Sequence, residues 1–253
     1  MLTTTTPESA KFTAPLLLIH GRWCTAAVWR PFAGYFAHLG WTCHAMTLRG
    51  HGEPQDPAVI ARTDFTDYFE DVHLAIAACK APPVLLGHDL GGLLALSCAA
   101  AGRAVVALAP VVPEAVTGNR RAAWGSRLAF WRSRLLLPSG SIAVDYFGQR
   151  VPGGTTPESR RLARQLAADD LPLPSSPGLP KLLIVGEADA VCPPHDAERL
   201  ATRVGADCYK LEGIGHALPW DTGWEKRVVQ IHRWLVQQLG ESLLVPREEE
   251  EED

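Results

Sequence analysis

Three residues of this chain could do joint chemistry if the fold assembled them: Asp89, Asp189 and His216. Asp89 stands in Gly87-His88-Asp89-Leu90-Gly91, between an apolar run (83–88) and a glycine-led apolar stretch (90–101). The frame has the form G-x-S-x-G, in which strand, sharp turn and helix lift a nucleophile to the apex. Here aspartate replaces the serine. A carboxylate attacking an acyl carbon would form a reactive anhydride, a poor intermediate. Attack on saturated carbon instead opens an epoxide or displaces a halide and leaves an ordinary alkyl ester. A histidine oriented by a second carboxylate can then activate water to hydrolyse that ester. Asp189, in GEADAV, and His216, in GIGHALPW, are of the types this second step needs.

The elements that must position these groups follow from the hydrophobic pattern. Short apolar runs at 15–20, 41–48, 83–88, 104–111, 181–186 and 207–213 read as strands. Helical stretches alternate with them: 25–40, a segment whose apolar residues fall at 65, 68, 69, 72, 76 and 79, then 90–101, 194–204 and 224–239. Thr63 or Asp64 is placed to cap the second. Strands alternating with helices predict a mostly parallel, doubly wound sheet covered on both faces. Asp89, Asp189 and His216 each follow a predicted strand, at the carboxyl edge where open α/β sheets bind ligands. The alternation stops in 113–180, a segment rich in Arg, Trp, Ser, Gly and Pro. That segment is expected to be an inserted cap or lid, with a core of 14–112 and 181–240. Residues 1–13 and 241–253 are expected to be flexible tails.

Composition narrows the function classes. With 253 residues, 47% hydrophobic and 21% charged, the chain suits one sizeable globular domain. A net charge of −4 gives no basic footprint for nucleic acid. No apolar run nears the ~18 residues of a membrane span, and no signal peptide is evident, so a cytoplasmic protein is expected. The six scattered cysteines contain no C-x-x-C pair and are read as reduced, packed thiols. No metal-ligand cluster and no G-x-G-x-x-G are found, so neither metal nor nucleotide cofactor is expected. The partner is a small-molecule substrate, and the chain is a monomer or homodimer.

The motifs IHGRW (19–23), LRGHGEP (48–54), GHDLGG (87–92), VGEADAVCPP (185–194) and GIGHALPWD (213–221) together resemble the α/β-hydrolase fold family over roughly 14–240. Nucleophile, acid, histidine is that family's triad order. The resemblance implies an oxyanion hole from the backbone N–H groups of Arg22 and Leu90. The GHD-x-GG elbow is similar to that of epoxide hydrolases and several dehalogenases. These relatives assist the leaving group with cap tyrosines or ring N–H groups. Tyr146, Trp23, Trp124 and Trp131 are the candidates for substrate binding. Arg22 is a candidate for holding an anionic substrate group, as a haloacid dehalogenase needs.

Three departures keep alternatives open. Tyr146 is the one tyrosine of the insertion, and Leu90 and Arg22 stand where many haloalkane dehalogenases carry Trp and Asn. The loop after His20-Gly21 lacks the proline common in epoxide hydrolases, and LRGHG and GIGH also resemble serine-type esterases. In an esterase-like lineage Asp89 would be a general base for an elimination, decarboxylation or cyclisation, with His216 as acid. A non-catalytic small-molecule binding protein is the third reading. Glu114 is an alternative triad acid. His88, His51 and His20 are read as packing or bracing groups.

Overall fold

The structure is a computed structural model that describes residues 1–22, 24–117, 158–167, 171–174, 176–240 and 244. These residues form a seven-stranded sheet in the order β1-β3-β2-β4-β5-β6-β7. The strands are β1 (Leu2–Thr5), β2 (Leu16–Ile19), β3 (Cys43–Met46), β4 (Val84–His88), β5 (Ala104–Leu108), β6 (Lys181–Gly186) and β7 (Asp207–Leu211). All neighbours from β3 to β7 pair parallel, and β1 alone pairs antiparallel, with β3. β2, β4, β5 and β6 are buried along their whole length. That is why they read as continuous apolar runs rather than alternating ones.

Alternate strand residues feed two cores. Leu16 and Leu18 face one core with Phe32 and Phe36 of α1 (Arg30–His38), and with Val228, Ile231 and Leu235 of the C-terminal helix Trp224–Leu239. Leu17 and Ile19 face the other, filled from the helices Phe65–Ala77, Leu90–Ser97 and Pro194–Val204. In chain order, α2 is Pro57–Ile60, α3 is Phe65–Ala77, α4 is Leu90–Ser97 and α5 is Glu114–Thr117. They are followed by α6 (Arg160–Leu166), α7 (Pro194–Val204) and α8 (Trp224–Leu239). The expected α/β-hydrolase layering is therefore observed. Asp64 caps α3 in a reciprocal capping box with Asp67.

The N-terminus differs from the expected tail. Leu2–Thr5 forms the sheet's edge strand, and Phe12 is buried with its ring stacked on Trp41 at 4.0 Å between centroids. Leu-Thr-Thr-Thr carries only β-branched polar residues after Leu2, so hydrophobic periodicity does not flag it. Most of 113–180 and of 241–253 lies outside the described residues.

Candidate active site

The β4–α4 turn builds the apex. Asp89 has φ 53° and ψ −118°, a conformation that costs a residue with a Cβ about 1–3 kcal/mol. Its surroundings impose the turn. A Cβ on Gly87 would sit 2.0 Å from the carbonyl oxygen of Gly91, so only glycine lets α4 start this close to β4. A Cβ on Gly21 would meet the Asp89 Cβ at 2.6 Å, so the loop after β2 lies directly on the elbow.

The loops after β2, β4, β6 and β7 meet here. Asp189 Oδ1 accepts from the backbone N–H groups of Val191 and Cys192, both at 2.8 Å, which fixes the carboxylate. Its Oδ2 then faces His216 Nδ1 at 2.9 Å, while His216 Nε2 lies 3.5 Å from Asp89 Oδ1. Asp89, Asp189 and His216 are thus brought together in the order of a triad. Glu114, weighed as another acid, begins α5, and the carboxylate on His216 Nδ1 is that of Asp189.

Arg22 does more than the sequence reading assigned to it. Its backbone N–H donates to Asp89 Oδ2 at 2.9 Å. Its guanidinium also forks onto the same carboxylate, Nε to Oδ2 at 2.8 Å and Nη2 to Oδ1 at 2.6 Å. The two side chains are 5% and 3% exposed, so this is a buried two-point ion pair. Leu90, the other expected oxyanion donor, is buried at the first position of α4. Trp23, Trp124, Trp131 and Tyr146 lie outside the described residues.

The electrostatics follow from these contacts. Burial penalises the Asp89 charge, but the charge and hydrogen bonds of Arg22, aided by His216, hold its pKa well below the usual carboxylate range. Burial also opposes charge on His216, yet its bonds to Asp189 and Asp89 raise its pKa to about 9. At neutral pH Asp89 is therefore a carboxylate facing the Arg22 guanidinium and a His216 imidazolium. Burial pushes the Cys24 and Cys192 thiols up, so neither is a thiolate nucleophile.

Three histidines around the site do structural work. His88 is lowered to about 4 by burial and by His216, and its Nε2 donates to the His216 carbonyl at 2.9 Å. His20 is lowered to about 3 by burial and by His51; its Nδ1 donates to Gly21 O at 2.7 Å and its Nε2 accepts from Leu48 N–H at 3.1 Å. It braces the loop that carries Arg22. His51 is bound to Glu158, Nε2 to Oε1 at 2.9 Å, and Tyr68 Oη donates to Glu158 Oε2 at 2.7 Å. Arg227 of α8 holds the loop after His216, with Nε on Leu218 O at 2.8 Å and Nη2 on Asp221 O at 2.6 Å. Sequence reasoning missed Glu158 and Arg227. A charged residue in an apolar helix face, as Arg227 is, was the available signal; Glu158, in a stretch without periodicity, gave none.

Comparison with known proteins gives the family. A model of the alpha/beta hydrolase family matches residues 16–231. Pimeloyl-[acyl-carrier protein] methyl ester esterase of Stenotrophomonas maltophilia (strain R551-3) is 37% identical over 100 residues, 38% of this chain and 36% of that protein. Protein ABHD8 of Mus musculus is 32% identical over 88 residues, 34% of this chain and 20% of that protein. The chain thus matches about a fifth to a third of the length of these curated relatives. The crystal structure of Paleococcus ferrophilus monoacylglycerol lipase superposes with a TM-score of 0.69 at 18% identity, covering 94% of this chain and 99% of that one. At that identity the likeness is one of fold. With the family match spanning most of its length and the triad order at the sheet's carboxyl edge, the chain belongs to the alpha/beta hydrolase family.

Proposed function

We propose that the protein is a hydrolase that opens an epoxide or displaces a halide through a covalent ester on Asp89. The observation that carries this reading is the place of a carboxylate at the apex of the elbow, with His216 Nε2 3.5 Å from its Oδ1 and Asp189 on the other ring nitrogen. Arg22 keeps Asp89 ionised far below neutral pH. A carboxylate so acidic is a weak general base, because proton transfer needs a pKa near the working pH. Attack on saturated carbon needs the carboxylate ionised, with one of its oxygens released from the Arg22 guanidinium.

The charge state of His216 gives the steps their order. In the resting site it is already protonated, so it cannot take a proton from water. When Asp89 Oδ1 bonds to the substrate carbon, the bond from that carbon to oxygen or halogen breaks. Asp89 loses its charge, and one of the two carboxylates that hold the His216 proton is gone. The imidazolium can then give its proton to a departing alkoxide, or to solvent when a halide leaves. As the neutral base it activates water to attack the Asp89 carbonyl carbon. The N–H groups of Arg22 and Leu90 would stabilise the resulting oxyanion. Cleavage of the ester releases the alcohol and restores the carboxylate.

Ester cleavage is the second reading, favoured by the match to a methyl ester esterase. Asp89 and His216 would then act only in proton transfer. The six free cysteines support a reducing setting. The deciding test is intact mass of the His216→Ala protein after exposure to epoxides, halogenated acids and p-nitrophenyl esters. A stable adduct mapped to Asp89 is expected from one of the first two. If wild type turns over a compound and the variant accumulates no adduct with it, covalent catalysis is wrong and Asp89 is a base.

A further inference from the structure

We infer that Arg227 and His88 form a two-sided clamp on the loop that carries His216, and that the clamp serves the water-activating half of the reaction. This rests on the nucleophile reading and adds two positioning residues to it. His216 lies in the loop 212–223, between β7 and α8. A surface loop of that length does not hold one shape unaided. His216 must nevertheless keep Nε2 at 3.5 Å from Asp89 Oδ1.

Donors from outside the loop take its carbonyls on both sides of His216. Ahead of it, Ile214 O accepts from Ala188 N–H at 3.0 Å, next to Asp189, and a Cβ on Gly186 would sit 2.1 Å from that oxygen. At His216 itself the carbonyl accepts from His88 Nε2 at 2.9 Å. Beyond it, Arg227 donates to Leu218 O from Nε at 2.8 Å, to Asp221 O from Nη2 at 2.6 Å and to Thr222 O from both terminal nitrogens at 3.3 Å.

The residue types show what these contacts are for. Arg227 is 4% exposed, and its hydrogen bonds among the described residues all go to main-chain oxygens of this one loop. A buried guanidinium is costly, and an apolar side chain would pack more cheaply. Only the rigid fork supplies several donors in fixed directions. His88 is equally specific. A carbonyl only accepts, so Nε2 carries the hydrogen, and a pKa lowered to about 4 keeps the ring neutral. His88 ends β4, one residue before Asp89, so the strand that delivers the nucleophile also fixes the histidine's backbone. With that backbone clamped and Nδ1 held by Asp189 at 2.9 Å, Nε2 faces Asp89.

Displacement of a halide by Asp89 moves no proton and needs no clamp. Hydrolysis does. Water adds to the Asp89 carbonyl carbon, one of its protons passes to Nε2, and the ester C–O bond breaks with that proton going to the departing alkoxide. The acid left on Asp89 then returns its proton to His216. A general base misplaced by about 1 Å loses about 100-fold in rate.

The two half-reactions therefore separate a clamp from a residue that only stabilises the fold. With 2-chloropropanoate, followed by the chloride burst and intact mass, Arg227→Gln should form the Asp89 ester within about twofold of the wild-type rate and hydrolyse it at least about 100-fold more slowly. His88→Leu should behave alike, and His88→Gln, which places an amide N–H near the Nε2 position, should recover most of the loss. Equal slowing of both half-reactions, or wild-type hydrolysis in Arg227→Gln, overturns the clamp. NMR titration of the His216 ring needs no substrate. Its pKa of about 9 should fall by about one unit or more in Arg227→Gln and in His88→Leu, as the contacts to Asp189 and Asp89 loosen. Loss of a nearby cation alone would raise it, so a fall reports position rather than charge. An unchanged or raised value overturns the clamp, and His88→Leu decides if Arg227→Gln does not fold. No ester even on His216→Ala counts against the nucleophile reading and leaves the clamp to the titration.

Discussion

Two of the buried carboxylates, Asp89 and Glu158, are built to opposite ends. Asp89 meets Arg22 and His216, and Glu158 meets His51 and Tyr68, each through contacts of 2.6 to 2.9 Å apart from the longer His216 approach of 3.5 Å. Glu158 is held at both oxygens. Each oxygen has its own donor, and His51 Nδ1 donates onward to Arg49 O at 3.1 Å. The contact ties the segment just before α6 to the loop after β3 and to α3. Asp89 instead sits on strained backbone at φ 53°, shares its oxygens between an arginine and a histidine, and faces the sheet's carboxyl edge. A buried ion pair is thus no measure of purpose. Whether the backbone beneath is relaxed, and whether the group faces the sheet's carboxyl edge, separates a fastener from a reactive group.

The sharpest break of this comparison is Asp89→Asn. Turnover of whatever compound wild type consumes should fall by about 10⁴-fold or more, read by steady-state kinetics, while the fold persists. Glu158→Ala should do the converse. It leaves the His51 Nε2–H and the Tyr68 hydroxyl without their buried acceptor and should cost about 1–3 kcal/mol for each in denaturant unfolding, with activity per folded molecule little changed. Comparable activity losses in the two variants would erase the distinction.

Stability against pH sharpens it further. His216 has a pKa raised from 6.5 to about 9, so its contribution is fully present below pH 6.5 and lost as pH rises through 9. That loss is on the order of 3 kcal/mol, and His51, also raised, adds in the same direction. His20 and His88, lowered to about 3 and about 4, work the other way and cost stability as pH falls below 6.5. Unfolding free energy should peak near pH 6.5, and His216→Asn should flatten the alkaline limb but not the acid one. The smallest effect belongs to Asp64→Ala, which removes the cap of α3 beneath Tyr68. It should cost about 1 kcal/mol and leave turnover unchanged.

Much of the architecture could be read along the chain because its causes are local. Buried parallel strands must be apolar throughout, so 83–88 and 181–186 stand out. The helix 224–239 shows its apolar stripe at helical spacing, and Asp64 with Asp67 announces a helix start. β1 was not visible, because three threonines at an edge bury nothing that patterning can register. At the site, the main-chain N–H of Arg22 was placed from motif position alone. The fate of its side chain, bound to a residue 67 positions away, was not.

The sequence by itself determined which residues stand at the ends of which strands, since strand order, turn glycines and the elbow are written in short windows. Only the tertiary structure decided the charge state of the site. Arg22 with Asp89, and His51 with Glu158 over 107 positions, are long-range pairs of side chains whose partners no local window contains. The pKa of His216 depends on two carboxylates from separate loops and on how little water reaches them. Chain pattern fixes where a group is delivered; burial and the neighbours it meets there fix its charge, and with it the chemistry it can do.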